Sequence, residues 1–407
     1  MSSPDSGVLA VHTVDLTDPA AFAGRDPYPF WRQVRERHPV YWHEGTAGRP
    51  GFWVVSRHAD VVAGYADADA LGSRRGTVLD VLLHGDDSAG GRMLAVTDRP
   101  RHRELRAVLW RAFAPRHLDR VAQRVHRLTE RLVDEVTGAG TFDFAAEVAE
   151  RIPLTTICEL LSVPERDRAD LLRYSKAAFT TGGPDDGDLD PVEARNELVL
   201  YFMDLAETRR AAPGDDVVSM IATARVDGEP LTLEEVALNC YSLVLGGDES
   251  SRISAVCAVR ALAEHPGQWR ALRDGEVDPD TAVEEMLRWA TPGLHFARTA
   301  RRDLVIGGQR VRAGDIVTLW NISANNDETV FPDPRAFDLG RSPNKHVTLG
   351  HGPHFCLGAF LGRAELHALS AALVNRVAGI ELRGTPTPIR STFLHGDSSL
   401  PVSFRPR

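Results

Sequence analysis

Apolar residues recur at helical spacing in five separate stretches of this chain, and this confines it to a fold built mainly of α-helices. The stretches are "HLDRVAQRVHRLTERLVDEV" from His117, "LTLEEVALNCYSLVLGG" from Leu231, "ISAVCAVRALAEH" from Ile253, "DTAVEEMLRWA" from Asp280 and "LGRAELHALSAALVNRV" from Leu361. Two carry helix-start chemistry. Thr232 stands three residues before Glu235, the spacing of a capping box, and Asp280 heads its own run. Strand-like pieces are fewer. "GFWVVS" from Gly51 is one, and "DLVIGGQRVRAGDIVTLW" from Asp303 alternates around a Gly-Gly and an Ala-Gly turn, which predicts a small antiparallel meander. Residues 326–346, "NDETVFPDPRAFDLGRSPNKH", hold too many Pro, Asp and Asn for regular structure and read as a long ordered loop. The expected architecture is mainly α with small β-sheets (α+β), a single domain over residues 1–407 with no repeat or linker dividing it.

Charge and cysteine usage narrow the functional classes. Lys and Arg number 47 against 57 Asp and Glu, a net charge of −10, which argues against a nucleic-acid binder. The N-terminal "MSSPDSGVLAVHTVDL" lacks the basic and apolar segments of a signal peptide, and no apolar run reaches the ~18 residues of a membrane span. Cysteines fall at 158, 240, 257 and 356 without a CxxC pair, so a cytoplasmic protein without a disulfide framework is expected.

One cysteine stands apart. Cys356 lies in "HVTLGHGPHFCLGAFLGRAEL", a loop rich in glycine and histidine at the start of a helical run. A helix N-terminus offers unpaired N–H groups and a positive dipole end, which favour a thiolate. Gly350, Gly352 and Gly358 let the backbone turn sharply and approach a flat partner, and Pro353 stiffens the turn. Three readings are open: a structural cysteine in a tight turn, a zinc site using His351, His354 and Cys356, and a cysteine ligand to haem iron.

The run from Leu349 to Ala359 resembles the haem-binding signature of the cytochromes P450, the haem-thiolate monooxygenases. Its glycines, the His two residues before the Cys and the Gly two after it are in register, and Leu349 replaces the family's usual Phe. Glu285 and Arg288 match the family's Glu-x-x-Arg, a pair that the resemblance implies is buried and locks the loop before the cysteine. Arg335 and His346 are the candidates for its third partner. His102 and Arg106 in "TDRPRHRELR", Arg298 in "HFARTA" and His354 match the positions that hold the haem propionates. Taken singly, each basic residue reads first as a solvated surface charge; four of them in matching positions reverse that reading, because two buried carboxylates need cationic partners.

"LVLGGDESS" from Leu243 interrupts a helical pattern that resumes at once. Two adjacent glycines inside a helix cost roughly 1 kcal/mol each relative to Ala, so the interruption suggests a functional opening. The fragment resembles the family's oxygen-activation motif, with Gly246, Gly247, Glu249 and Ser250 in register. By resemblance the glycines make room for O2 while the acid and the alcohol relay protons, with Ser251 able to share the role. Ser250 stands where Thr is more common.

Altogether the resemblance covers nearly the whole chain. It implies the P450 fold, with a long central helix over a haem b that Cys356 ligates through iron. It also implies a monooxygenase fed by a ferredoxin and a ferredoxin reductase, with Arg103, Arg111, Arg116 and Arg363 as a docking patch. The substrate pocket by resemblance draws on Leu79, Met93, Leu243, Leu294, His295, Phe296, Phe393 and Leu394, a lining suited to a lipophilic molecule of medium size. His295 is expected either to hydrogen-bond the substrate or to pack structurally. Tailoring of an antibiotic or other secondary metabolite is the first reading. Sterol or fatty-acyl oxidation, a substrate tethered to a carrier protein, and a peroxide-driven haem enzyme are the alternatives.

Overall fold

The computed structural model describes residues 14–45, 48–113, 115–178 and 189–407. Nine helices among them build and flank the site. They are α1 (Arg101–Ala112), α2 (Pro115–Val136), α3 (Arg151–Leu160), α4 (Arg168–Ala178), α5 (Pro191–Ala211), α6 (Leu233–Gly247), α7 (Glu249–Glu264), α8 (Pro279–Ala290) and α9 (Ala359–Arg376). Helix α2 shows why they assemble. Leu118, Val121, Val125, Leu132 and Val136 recur every three to seven residues, and all are buried in one hydrophobic cluster with Leu366, Leu369 and Leu373 of α9. The same cluster takes in α3, α5, α6 and α7.

Helix α6 starts at the predicted capping box. The Thr232 hydroxyl accepts from Glu235 N at 3.1 Å, and the Glu235 carboxylate accepts from Thr232 N at 2.9 Å. Helix α8 starts earlier than the Asp280 signal. Asp278 is its cap, accepting from Thr281 N at 3.0 Å, and Pro279 fills the first position, where its missing N–H costs nothing.

A five-stranded sheet flanks the helices: β1 (Val40–His43), β2 (Phe52–Val55), β3 (Leu71–Gly72), β4 (Phe296–Ala300) and β5 (Ile316–Leu319). Its order is β1-β2-β5-β4-β3, and only the β2–β5 pair is parallel. The expected meander after Asp303 therefore splits. Leu304–Ile306 and Gln309–Val311 form a hairpin whose Gly307 and Gly308 take φ of +54° and +83°, but β5 leaves it for the larger sheet. All four residues of β5 are buried, and a two-stranded hairpin cannot cover both faces of such a strand. Among the described residues no helix is long and apolar enough to cross a membrane.

Candidate active site

The Cys356 loop is a closed turn. Cys356 N donates to Leu349 O at 2.9 Å and Phe355 N donates to Gly352 O at 3.0 Å. Gly350 and Gly352 hold φ of +71° and +69°, and a Cβ on Gly352 would lie 2.7 Å from Tyr65 O, so no larger residue fits there. Gly358 directs its N–H to the sulfur, and a Cβ on it would sit 4.0 Å from Sγ. Burial pushes the free Cys356 thiol up, while Gly358 and the charges of Arg106 and Arg363 pull it down. Cys158, Cys240 and Cys257 do not line the cavity on which Cys356 opens, and burial pushes each thiol up to about 12. Cys356 opens on a cavity of about 370 Å³.

At one edge of that cavity four basic side chains meet. The rings of His102 and His354 lie 4.1 Å apart. Arg106 donates to Phe355 O at 2.7 Å, and Arg298, on β4, donates to Ala297 O at 2.8 Å. None of the four donates to a carboxylate among the described residues, and His102 Nε2 is buried without a hydrogen-bond partner. Burial, with the charges of Arg106 and Arg99, pushes His102 down to about 4. Burial, with Arg298, His102 and Arg106, pushes His354 down to about 2. So concentrated a positive field, opposed by the charge of Asp98 on His102 and Arg298, is suited to an anionic group entering from the cavity.

On the far wall α6 and α7 meet at Asp248, with φ −80° and ψ −78°. The helical ladder survives at both ends of the junction, since Asp248 N donates to Val244 O and Arg252 N to Asp248 O. Gly246, Glu249, Ser250 and Ser251 all line the cavity. Ser250 donates to Gly246 O at 2.9 Å. The two glycines have different jobs. A Cβ on Gly246 would meet nothing within 4 Å, whereas one on Gly247 would lie 2.5 Å from Ile157 Cδ1, so Gly247 serves packing against α3. Glu249 is gripped at both oxygens by Arg252, at 3.1 and 2.7 Å.

The cytochrome P450 pattern matches residues 280–388. Cytochrome P450 NovI of Streptomyces niveus is 43% identical over 389 residues, 96% of each chain. The chain belongs to the cytochrome P450 family. A steroid C26-monooxygenase of Mycobacterium tuberculosis is 32% identical over 97% of this P450 and 93% of its own length. The crystal structure of P450 OxyD, involved in the biosynthesis of vancomycin-type antibiotics, superposes with a TM-score of 0.88 at 35% identity, covering 97% of this chain and all of that one. The P450 is thus a haem-thiolate monooxygenase. The residues present fit that cofactor: Cys356 opens on the cavity, and the unpaired cationic cluster suits its carboxylates. A zinc site does not fit. Among the described residues no three His, Cys, Asp or Glu side chains are arranged to hold a metal ion, and His351 is exposed.

The loop before the cysteine is anchored by a buried network around Glu285. Its carboxylate accepts from Arg288 Nε and Nη2, both at 2.7 Å, from Arg341 Nε at 3.1 Å, from Asn344 Nδ2 at 3.0 Å and from Asp338 N at 3.1 Å. Arg341 is the third partner that the sequence did not single out. Arg335 is half-exposed and pairs with Asp26, while His346 donates to Glu284 at 3.0 Å. Arg363 also grips Glu284 and is not a free docking charge. His346 and Arg363 hold the Glu284 carboxyl down to about 2 against the upward push of burial.

Of the residues assigned to the pocket by resemblance, Leu243, Phe296, Phe393 and Leu394 line the cavity. Leu79, Met93, Leu294 and His295 do not. Leu79 and Leu294 are buried in a separate cluster with Trp31 and Trp320, and the His295 ring lies 4.5 Å from that of Trp320. Leu94 and Ala95 take the place given to Met93. Asn239 pins this segment to α6, accepting from Leu94 N at 3.0 Å and donating to Arg92 O at 2.9 Å.

Proposed function

We propose that this P450 tailors a lipophilic natural product of medium size, of the kind made in antibiotic biosynthesis. In this reading haem b is the cofactor, and a ferredoxin kept reduced by a ferredoxin reductase is the electron donor. The observation that carries it is one apolar cavity with Cys356 on one wall and Gly246, Glu249 and Ser250 on the other. NovI and OxyD support the substrate class. The steroid C26-monooxygenase relatives favour a second reading, oxidation of a sterol.

When bound, the cofactor supplies oxygen activation: two electrons, two protons and O2 become one substrate oxygen atom and one water. This chain's residues supply the setting. Gly358 N–H and the N-terminus of α9 stabilise the Cys356 thiolate. His102, Arg106, Arg298 and His354 would hold the propionates. Leu94, Leu243, Phe296 and Phe393 exclude water and orient an apolar substrate. Ser250 presents its hydroxyl to the cavity from a rotamer fixed by Gly246 O.

On the outer side of the cysteine loop lie Trp110, Phe355 and Phe360, with exposures of 57%, 37% and 49%. They share a surface hollow with Arg111 and Cys356, and Arg103 on α1 is exposed. This face is proposed as the ferredoxin dock, an apolar centre in place of the all-arginine patch. The side chain of Arg116 lies outside the described residues.

The test is optical. The reduced, carbon-monoxide-bound protein is expected to show the red-shifted Soret band of a thiolate-ligated haem, and C356A to lose it. Natural-product precursors and sterols are then screened for the low- to high-spin shift. A shift with sterols alone selects the second reading, and a protein without the thiolate band overturns both.

A further inference from the structure

We propose that Ser242, on α6, is a substrate anchor: its hydroxyl bonds a neutral polar group of the substrate (a hydroxyl, carbonyl or amide) set about one helical turn from the carbon that is oxidised. This deepens the natural-product reading above and rests on it.

Helix α6 turns one face to the cavity. Asn239, Ser242, Leu243 and Gly246 line it at the i, i+3, i+4, i+7 spacing of a single helical face. Gly246 marks the reacting end, since it stands across the cavity from Cys356 and a Cβ on it would meet nothing within 4 Å. Ser242 lies one turn before it, roughly 6 Å along the helix axis.

What sets Ser242 apart is an uncommitted hydroxyl. A helical serine or threonine commonly donates back to the carbonyl four residues earlier. Three others on the cavity wall do so: Ser250 to Gly246 O at 2.9 Å, Ser254 to Ser250 O at 2.8 Å and Thr156 to Ile152 O at 3.0 Å. Among the described residues, Ser242 has no side-chain hydrogen bond. The other polar groups of the wall are taken. The Asn239 amide accepts from Leu94 N at 3.0 Å and donates to Arg92 O and Glu235 O at 2.9 and 2.7 Å. Thr348 donates to Leu287 O and accepts from Asn325 Nδ2, both at 2.9 Å. Tyr65 donates to Asn321 Oδ1 at 2.7 Å, and the Ser251 hydroxyl bonds Glu365. One further free hydroxyl lines the cavity, that of Thr77, whose carbonyl accepts from Ala297 N on β4.

The chemistry of the anchored group follows from this setting. A hydroxyl both donates and accepts, so it serves a carbonyl and an alcohol alike. It cannot balance a charge, and the charged side chains of the wall are engaged elsewhere: Arg106, Arg298 and His354 in the cationic cluster, Glu249 by Arg252. An ionised substrate group beside Ser242 would therefore be buried unpaired. The anchor also separates the two substrate classes. A sterol oxidised on its alkyl tail would lay hydrocarbon over Ser242 and strip water from a hydroxyl without replacing its hydrogen bond. A natural product with a polar group close to the oxidised carbon satisfies it.

Matched probes test this: butylbenzene against phenylbutanol, and butylnaphthalene against naphthylbutanol, titrated into the holoenzyme and read by the low- to high-spin shift. S242A, a change that a helix tolerates, should weaken the hydroxylated member of each pair about three- to tenfold and leave the alkyl member unchanged. T77V should leave both members unchanged. An equal effect of S242A on the two members overturns the anchor, as does a selective loss in T77V that S242A does not share, or a wild type in which the alcohols give no shift. The carbon-monoxide spectrum and a sterol titration keep the wider reading separate. A shift with sterols alone sinks the natural-product reading itself. Aromatic probes that bind without any contribution from Ser242 sink the anchor and leave that reading standing.

Discussion

His295 is fully buried between Trp320 and Phe393, and its Nε2–H donates to Thr392 O at 3.2 Å. Burial pushes the imidazole down to about 4, so it is neutral in the folded protein, whereas the unfolded chain takes up a proton near its ordinary value of 6.5. A depressed pKa gives stability that is present above the unfolded value and lost as pH falls. Between pH 6.5 and about 4 the loss reaches about 3 kcal/mol at ~1.4 kcal/mol per unit. H295Q keeps a donor for Thr392 but cannot titrate. Its stability relative to wild type should therefore improve by up to that amount across this window, as urea unfolding at several pH values would show. Ser250 carries the second residue-scale prediction. With its hydroxyl fixed to Gly246 O and facing the cavity, S250A should divert several-fold more electrons to peroxide while leaving the carbon-monoxide spectrum unchanged. Coupling equal to wild type would mean that the hydroxyl is not in the proton path.

At the scale of elements, the α8 network sets how firmly the cysteine loop is held. Glu285 and Arg288 are fully buried and Arg341 is 9% exposed, so removing Arg341 leaves Glu285 paired with Arg288 but takes away one charge-assisted hydrogen bond to it and the donors to the carbonyls of Pro332, Asp333 and Ala336, at a cost of about 1.5–3 kcal/mol. R341A should lower the unfolding free energy by that order and reduce the haem content of the purified protein. R335A should do neither, because the half-exposed Arg335–Asp26 pair contributes at most about 1 kcal/mol. Chemical denaturation and pigment-to-protein ratio measure both. The contrast also shows what could be read beforehand. Glu285 and Arg288 are one turn apart, and Cys356 with its glycines is a contiguous run, so local spacing displayed them. Arg341 lies 56 residues from Glu285 and shares its loop with Arg335, and no spacing rule ranks one above the other. Of the pocket assignments, Leu243, Phe296, Phe393 and Leu394 line the cavity, whereas Leu79 and Leu294 belong to a separate buried cluster and His295 and Met93 lie one residue off the lining. Along β4 the side chains alternate, so Phe296 and Arg298 reach the cavity while Ala297 faces the core, and Met93 gives way to its neighbours Leu94 and Ala95.

Across the whole molecule, charge and apolar surface make opposite claims about how a partner docks. The chain is acidic, at −10, so long-range attraction for an acidic ferredoxin must come from a local field, and salt screens that field within ~8–10 Å. Two of the arginines first assigned to it are withdrawn or outside the described residues: Arg363 is held by Glu284, and the side chain of Arg116 is not described. What stands on that face is an apolar group with Trp110 the most exposed member. Aromatic anchors of this kind act at short range and change dissociation more than encounter, whereas rim charges act on encounter. W110A and F360A should therefore raise the KM for ferredoxin several-fold, to a similar extent at low and high ionic strength. R111A should raise it mainly at low salt. None of these changes should alter the spin shift produced by substrate, because Trp110, Arg111 and Phe360 do not line the cavity. A W110A variant whose KM and salt dependence match wild type would place the electron donor on a different face.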